Sequence, residues 1–449
     1  MIISQVCSSS VQTEVDSNVA GNNSSVYDKR EDDSLAQYDR DMTDDESLKQ
    51  AAYFDRQAQS LYKRYELAEA LKYYNKSLTI RLNTLGENHP DVAASYNNRG
   101  EVYRGEGELD KALDYHNKSL TIRLKTLGDN HPDVAGAYNN IGIVYRSKGE
   151  LDRALEYYNK SLNIRLKKLG ENHPNVAASY HSMAILYHKK GELDKALQYS
   201  NKSLTITLNI FGENHPDVAL SWHNMANIYR DKCELHAAID LFNKALTIKR
   251  KIFGENHSLF ANSLCDMGLT FRLQGATVEA LKYLNRSLTI CKMALGDKHP
   301  QFAETLNNIA LVYQDRGALD LAFDHHSKSL NIRLNNYGEK HPAVAESYNH
   351  LGDVYRLQGK IDIACVCINT SIAIRMAMLG ASHFRLADAL HSIGLVYEAE
   401  GNLDSALDSY HKALVVRQKS FGPNHPDVQS LLQIINRLQY YYSMRSICY

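Results

Sequence analysis

The chain has 449 residues, with 44% hydrophobic and 23% charged side chains, proportions ordinary for a soluble folded protein. Lys plus Arg number 51 against 52 Asp plus Glu, a formal net charge of −1 that gives no global electrostatic reason to bind nucleic acid or an anionic membrane. Seven scattered cysteines (Cys7, Cys233, Cys265, Cys291, Cys365, Cys367, Cys448) exclude a paired disulfide framework and are expected to be buried free thiols of a reducing compartment.

Residues 1–42 are rich in Ser, Asn and Asp, with runs such as SSSVQ, GNNSS and REDDS. They hold too little apolar surface to offset the entropy of ordering, so a disordered tail is expected. The start has no basic region followed by an apolar run, and no segment reads as a membrane span. A cytoplasmic protein without membrane insertion is therefore expected. From Leu85 a 42-residue unit recurs, beginning again at Leu127, Leu169, Phe211, Phe253, Leu295, Tyr337 and Leu379. Residues 85–420 are thus eight full repeats, 43–84 a degenerate amino-terminal capping repeat, and 421–449 a partial repeat ending in a capping helix. Self-similarity at this period means stacked units, none of which buries its apolar face alone.

Each unit contains two helical stretches. In the first full copy they run from about Pro90 to Gly105 and from about Glu108 to Thr126, joined by a glycine-containing turn. All eight prolines fall in the linker or the first turn of the first helix, where a missing N–H is harmless. Aligning the copies exposes packing columns: an aromatic column (Tyr103, Tyr145, Tyr187, Tyr229, Phe271, Tyr313, Tyr355, Tyr397), a small-residue column three positions earlier (Gly100 to Gly394), and an unbroken alanine column from Ala70 to Ala406 in the second helix. Small columns permit close helix approach, and aromatic ones fill the adjoining space.

Tyr96 or Trp222, then the small residue, the tyrosine, the alanine and a further small residue such as Ser119 or Ala245 resemble the pattern of the tetratricopeptide repeat. The linker LGENHPDVA and the doublet YNN resemble the longer repeats of kinesin light chains, with nephrocystin-3-like proteins as the alternative. The resemblance implies an all-α solenoid, a right-handed superhelix of antiparallel helix pairs. It also implies a non-enzymatic adaptor that takes peptide segments of partner proteins, in a cytoplasmic and cytoskeleton-associated setting. Kinesin heavy chain is the partner implied by the light-chain likeness; residues 1–42, however, carry no sustained heptad pattern for such a union. The nephrocystin-3-like alternative is a ciliary or signalling assembly scaffold without a motor.

No nucleophile with a partnered base, phosphate-cradling loop or metal-binding motif stands out, so neither catalysis nor a cofactor is expected. The histidine column (His89 to His425) recurs once per repeat, roughly 15–20 Å apart for two packed helices, too far to share an ion. Capping of the first helix by Asn88 or His89 explains it better. In arrays of the resembled kind the first helix lines the concave face. The columns Asn97, Asn139, His181, His223, Asn307, Asn349 and Asn98, Asn140, Asn224, Asn308 are then candidates for pairing with a peptide backbone, or for bonding between adjacent repeats. Further along the same helix Arg104, Arg146, Arg230, Arg272 and Arg356 would select an acidic ligand, or complement the helix dipole.

Overall fold

The computed structural model describes residues 43–447 apart from positions 382 and 424, with side chains through residue 440. The expected tail over residues 1–42, with Cys7, and also Cys448 lie outside the described residues. Among the described residues there are nineteen helices and no strand. They form pairs, a first helix A and a second helix B: α1 (Asp44–Lys63) with α2 (Leu67–Leu85), α3 (Pro90–Gly105) with α4 (Leu109–Leu127), α5 (Pro132–Ser147) with α6 (Leu151–Leu169), and α7 (Pro174–Lys189) with α8 (Leu193–Phe211). The series continues through α9 (Pro216–Asp231), α10 (Leu235–Phe253), α11 (Ser258–Leu273), α12 (Thr277–Leu295), α13 (Pro300–Asp315) and α14 (Leu319–Tyr337). It ends with α15 (Pro342–Leu357), α16 (Ile361–Leu379), α17 (Phe384–Glu400), α18 (Leu403–Phe421) and the unpaired α19 (Pro426–Ile447).

The repeat's punctuation explains these boundaries. Every A helix from α3 to α17 starts after a histidine in extended conformation whose Nδ1 accepts the N–H two residues on, as His89 does from Asp91 at 3.1 Å. The imidazole thereby satisfies one of the orphan N–H groups of the first turn. The A helix of the first full repeat ends in a paired turn: Gly107 N–H donates to the Arg104 carbonyl (3.2 Å) and Glu108 N–H to the Tyr103 carbonyl (2.9 Å). This closure needs a left-handed residue, and Gly107 has φ +81°. Tyr65 and Cys233 occupy the same station at φ 64° and 62°, where a side chain costs roughly 1 kcal/mol.

Packing follows the columns. The alanine column is fully buried from Ala70 to Ala406. Gly142 lies against Tyr158 of the partner helix, so close that a Cβ would come within 2.6 Å of the ring. The aromatic column stacks on the B helix of its own repeat, as Tyr103 does on Tyr115 at 5.2 Å between centroids. Successive repeats are also stitched by arginines near the end of helix B: buried Arg165 donates to the Asn175 carbonyl (2.9 Å) and to Ser179 Oγ (2.8 Å) in the next A helix. Arg333 repeats this with Ala343 and Ser347. These helix-B arginines therefore bond across to the neighbouring repeat.

Two expectations are corrected. Cys233 is exposed rather than buried, because it stands in the turn between helices. Helix α16 is long and apolar enough to cross a membrane, with a mean hydropathy of 1.5, whereas no such segment was expected. It nonetheless occupies the ordinary B position between α15 and α17, with Arg375 buried and bonded to the Arg385 carbonyl.

Neighbouring A helices from α5 to α13, and α15 with α17, touch one another as well as their own partners, which places them on the inside of the curve. The curve closes upon itself. His383 Nε2 donates to the Ser147 carbonyl at 3.1 Å across a separation of 236 residues, between five and six repeats. Tyr65 meets the rings of Tyr337 (5.3 Å) and His299 (6.1 Å), Gly107 lies against His341, and Gly191 lies against His425. Consecutive turns of the superhelix thus meet along a seam, where the A–B turns of early repeats rest on the histidine linkers of late ones. The inner face becomes the wall of a lumen.

Candidate functional site

Asparagine is a poor residue for a helix interior, and its use on the inner face has a visible structural reason. Residues 43 apart, on A helices of adjacent repeats, form rungs. Asn140 Nδ2 donates to Asn97 Oδ1 (2.8 Å), Asn224 approaches His181 (3.2 Å), Asn308 donates to Cys265 Sγ (3.1 Å), and Asn349 donates to Ser392 Oγ (2.9 Å). His223 contributes a rung to a carboxylate, with Nε2 2.9 Å from Asp266, and its Nδ1 lies 3.0 Å from Ser263 Oγ. Asn307 instead lies 2.8 Å from His326 Nδ1. Inter-repeat bonding therefore engages most of the candidate columns. Asn98 and Asn139 have no such partner among the described residues, and the Asn139 Oδ1 is buried without one.

The arginines divide in the same way. Arg104 pairs with Glu101 (2.7 Å), Arg230 lies 3.3 Å from Asp231 and 3.6 Å from Asp266, Arg272 grips Asp315 (2.5 and 3.2 Å), and Arg356 lies 3.8 Å from Asp353. Arg146 has no acidic partner among the described residues. The aligned columns do not separate it from its neighbours, since the acids that neutralise them sit three residues before the arginine, one residue after it, or on another repeat.

Further polar residues stand on the A helices, among them an acidic column in three successive repeats, Glu304, Glu346 and Asp388. Glu304 and Asp388 are solvent-exposed, yet burial raises both carboxyls, that of Glu304 with help from Asp266 and Glu346. Accessible groups that are still desolvated are what a narrow, water-filled, protein-walled space produces. Burial brings the Asp353 carboxyl up to about 6. At Glu346 burial acts the same way, but Arg333 and Arg385 overcome it and hold the carboxyl at about 2. Burial lowers His350 to about 4. The wall is therefore a mosaic of both signs. No group of three His, Cys, Asp or Glu side chains among the described residues is arranged to hold a metal ion.

The model of the tetratricopeptide repeat matches residues 50–125, 91–167, 133–209, 175–251, 217–293 and 301–377, and a second tetratricopeptide-repeat model matches 386–427. The chain belongs to the tetratricopeptide-repeat family. No match is found among curated proteins. Among solved structures, this tetratricopeptide-repeat chain is similar to a Rap protein complexed with competence and sporulation factor (14% identity, 83% of this chain and 99% of that one, TM-score 0.57). It is also similar to the apo form of the quorum sensor NprR from B. thuringiensis (15%, 78% and 94%, TM-score 0.51). At these identities the likeness is one of fold. A putative kinesin light chain from Podosopora anserina is 22% identical over 46% of this chain and 97% of its own, with a TM-score of 0.38.

Proposed function

We propose that this tetratricopeptide-repeat protein is a non-enzymatic adaptor that holds a peptide segment of a partner protein in its lumen, in the cytoplasm. The observation that carries the reading is a group of polar side chains on α3 and α5 whose capacity the fold leaves unused. Elsewhere on the inner face most rungs are closed, although the buried Oδ1 of Asn349 is also left without a partner among the described residues. Asn98, Asn139 and Arg146 remain open, and the buried Oδ1 of Asn139 is an unpaired acceptor that costs about 1–3 kcal/mol unless something donates to it. An extended peptide supplies backbone N–H and C=O groups at the spacing that asparagine amides on successive helices can meet. The fold shared with a Rap protein complexed with competence and sporulation factor supports the reading as an example of such an array with an occupant.

The test is binding of a peptide selected on the full-length chain, measured by fluorescence anisotropy. The double variant Asn98→Ala/Arg146→Ala should weaken it about tenfold or more, the loss of two contacts of about 1 kcal/mol each, with helicity and melting unchanged. Equal binding by the variant would move the site to another face.

A further inference from the structure

Arg146 acquires a specific meaning from the 43-residue rungs. At the carboxyl ends of the A helices these rungs join the arginine column to the following position one repeat on, and two of them close with opposite charges. His188 meets Asp231 at 2.7 Å, and Arg272 meets Asp315 at 2.5 Å. The rung from Arg146 leads to Lys189. Where the sister rungs place an acid, this one places a second cation, and like charges at that separation repel.

The seam then adds a third. His383 Nε2 holds the carbonyl of Ser147, the residue after Arg146, and the adjacent Phe384 ring lies 5.3 Å from Lys189 Nζ. Arg385 follows directly, in the first turn of α17. Lys189 of α7 thus lies in the field of both Arg146 of α5 and Arg385 of α17, where the two superhelical turns meet. None of the three forms an ion pair with an acid among the described residues, although Arg385 lies in the field of Glu346, whose carboxyl it helps to hold low. Burial, with Arg146 and Arg385, brings the Lys189 ammonium down to about 8. The buried hydroxyl of Tyr158, lacking a hydrogen-bond partner, sits in the field of the same Arg146.

We infer that Arg146, Lys189 and Arg385 form an oxyanion site that takes a phosphate group. A single carboxylate would leave two of the three charges uncompensated, whereas a phosphate dianion presents three acceptor oxygens to two guanidinium forks and an ammonium. Because Arg385 reaches the site only across the seam, an occupying phosphate also ties the two superhelical turns together. The site does not depend on a peptide lying in the lumen. The phosphate is either free or carried on a phosphorylated side chain, and both present the same chemistry.

The experiment is calorimetric titration of the full chain with inorganic phosphate, with acetate as control, alongside thermal melting. One phosphate should bind per chain and raise the melting temperature, and acetate should do neither. Lys189→Ala and Arg385→Ala should each weaken binding about tenfold or more. Lys189→Asp supplies the acid that the sister rungs carry, so it should abolish phosphate binding and raise the melting temperature in phosphate-free buffer. A capped phosphoserine peptide that binds more tightly than phosphate identifies a phosphorylated side chain as the source, and equal or weaker binding identifies free phosphate. Absence of phosphate binding, equal binding of acetate, undiminished binding by Lys189→Asp, or a lower melting temperature for that folded variant would each overturn the inference while leaving the peptide-binding reading standing.

Discussion

Acid should open the superhelix, and His383 is the residue through which it acts. Its Nδ1 accepts the Arg385 N–H at 3.1 Å while its Nε2 donates to the Ser147 carbonyl at 3.1 Å. Only the neutral Nε2–H tautomer satisfies both, because a proton on Nδ1 would face another donor. Burial brings the imidazole down to about 4 against the opposite pull of the Ser147 carbonyl, the second-largest influence, with smaller help from Arg385, Lys189 and Arg375. The side chain is 3% exposed, so the fall from an ordinary 6.5 converts to about 3 kcal/mol in favour of the closed, neutral form. The folded value lies below the open one. The stabilisation is therefore complete above about pH 6.5 and is lost progressively as the pH falls towards 4. His341, lowered to about 4 by burial and by Arg333 and Arg385, acts in the same direction at the next contact, as do His299, lowered by burial, and His425, lowered by burial and Arg417 against Asp427.

The assay is small-angle scattering from pH 7.5 to 4, combined with NMR titration of histidines labelled at Cε1. The radius of gyration should increase on acidification, and the resonance absent from His383→Asn should titrate near 4. That variant keeps a capping side chain but loses the seam bond, so it should be expanded already at pH 7.5. A His383 resonance titrating near 6.5, or an acid-insensitive radius, would refute the reasoning.

Three shorter predictions concern the scaffold. Gly142→Ala puts a methyl within 2.6 Å of Tyr158 and should cost about 1–3 kcal/mol by overpacking, read from urea unfolding. Arg333→Ala removes two hydrogen bonds of a buried guanidinium, to the Ala343 carbonyl and Ser347 Oγ, and its ion pair with Glu346 at 3.0 Å, and should cost about 2 kcal/mol or more with faster amide exchange in α15. Cys233, exposed in its turn, should be alkylated in the native state, as peptide mapping would show, while buried Cys265, Cys291 and Cys367 react only after unfolding.

The repeat, the helix boundaries and the packing columns could all be read from the chain, since they depend on residues a few positions apart and the eight copies act as their own alignment. The His89 column was legible as capping for the same reason. What the columns conceal is any contact between repeats that differ. The pairing of Asn140 with Asn97 needs the 43-residue offset, one more than the period, which only packed helices reveal. With that offset in hand, Lys189 stands out against Asp231 and Asp315 in the sequence itself. Arg385 leaves no such signal, because its approach to Lys189 depends on the superhelical curvature summed over several repeats, to which each interface contributes a small angle.

The central claim is that the inner face of α3 and α5 receives a peptide. Site-specific photo-crosslinking decides it: a photoreactive amino acid is placed singly at residue 98 and, as an outer-face control, at exposed residue 118 on α4, and each chain is irradiated with a peptide selected on the unmodified protein. Crosslinks from position 98 and none from position 118 are the expected result. The reverse pattern would contradict the account and place binding on the convex surface.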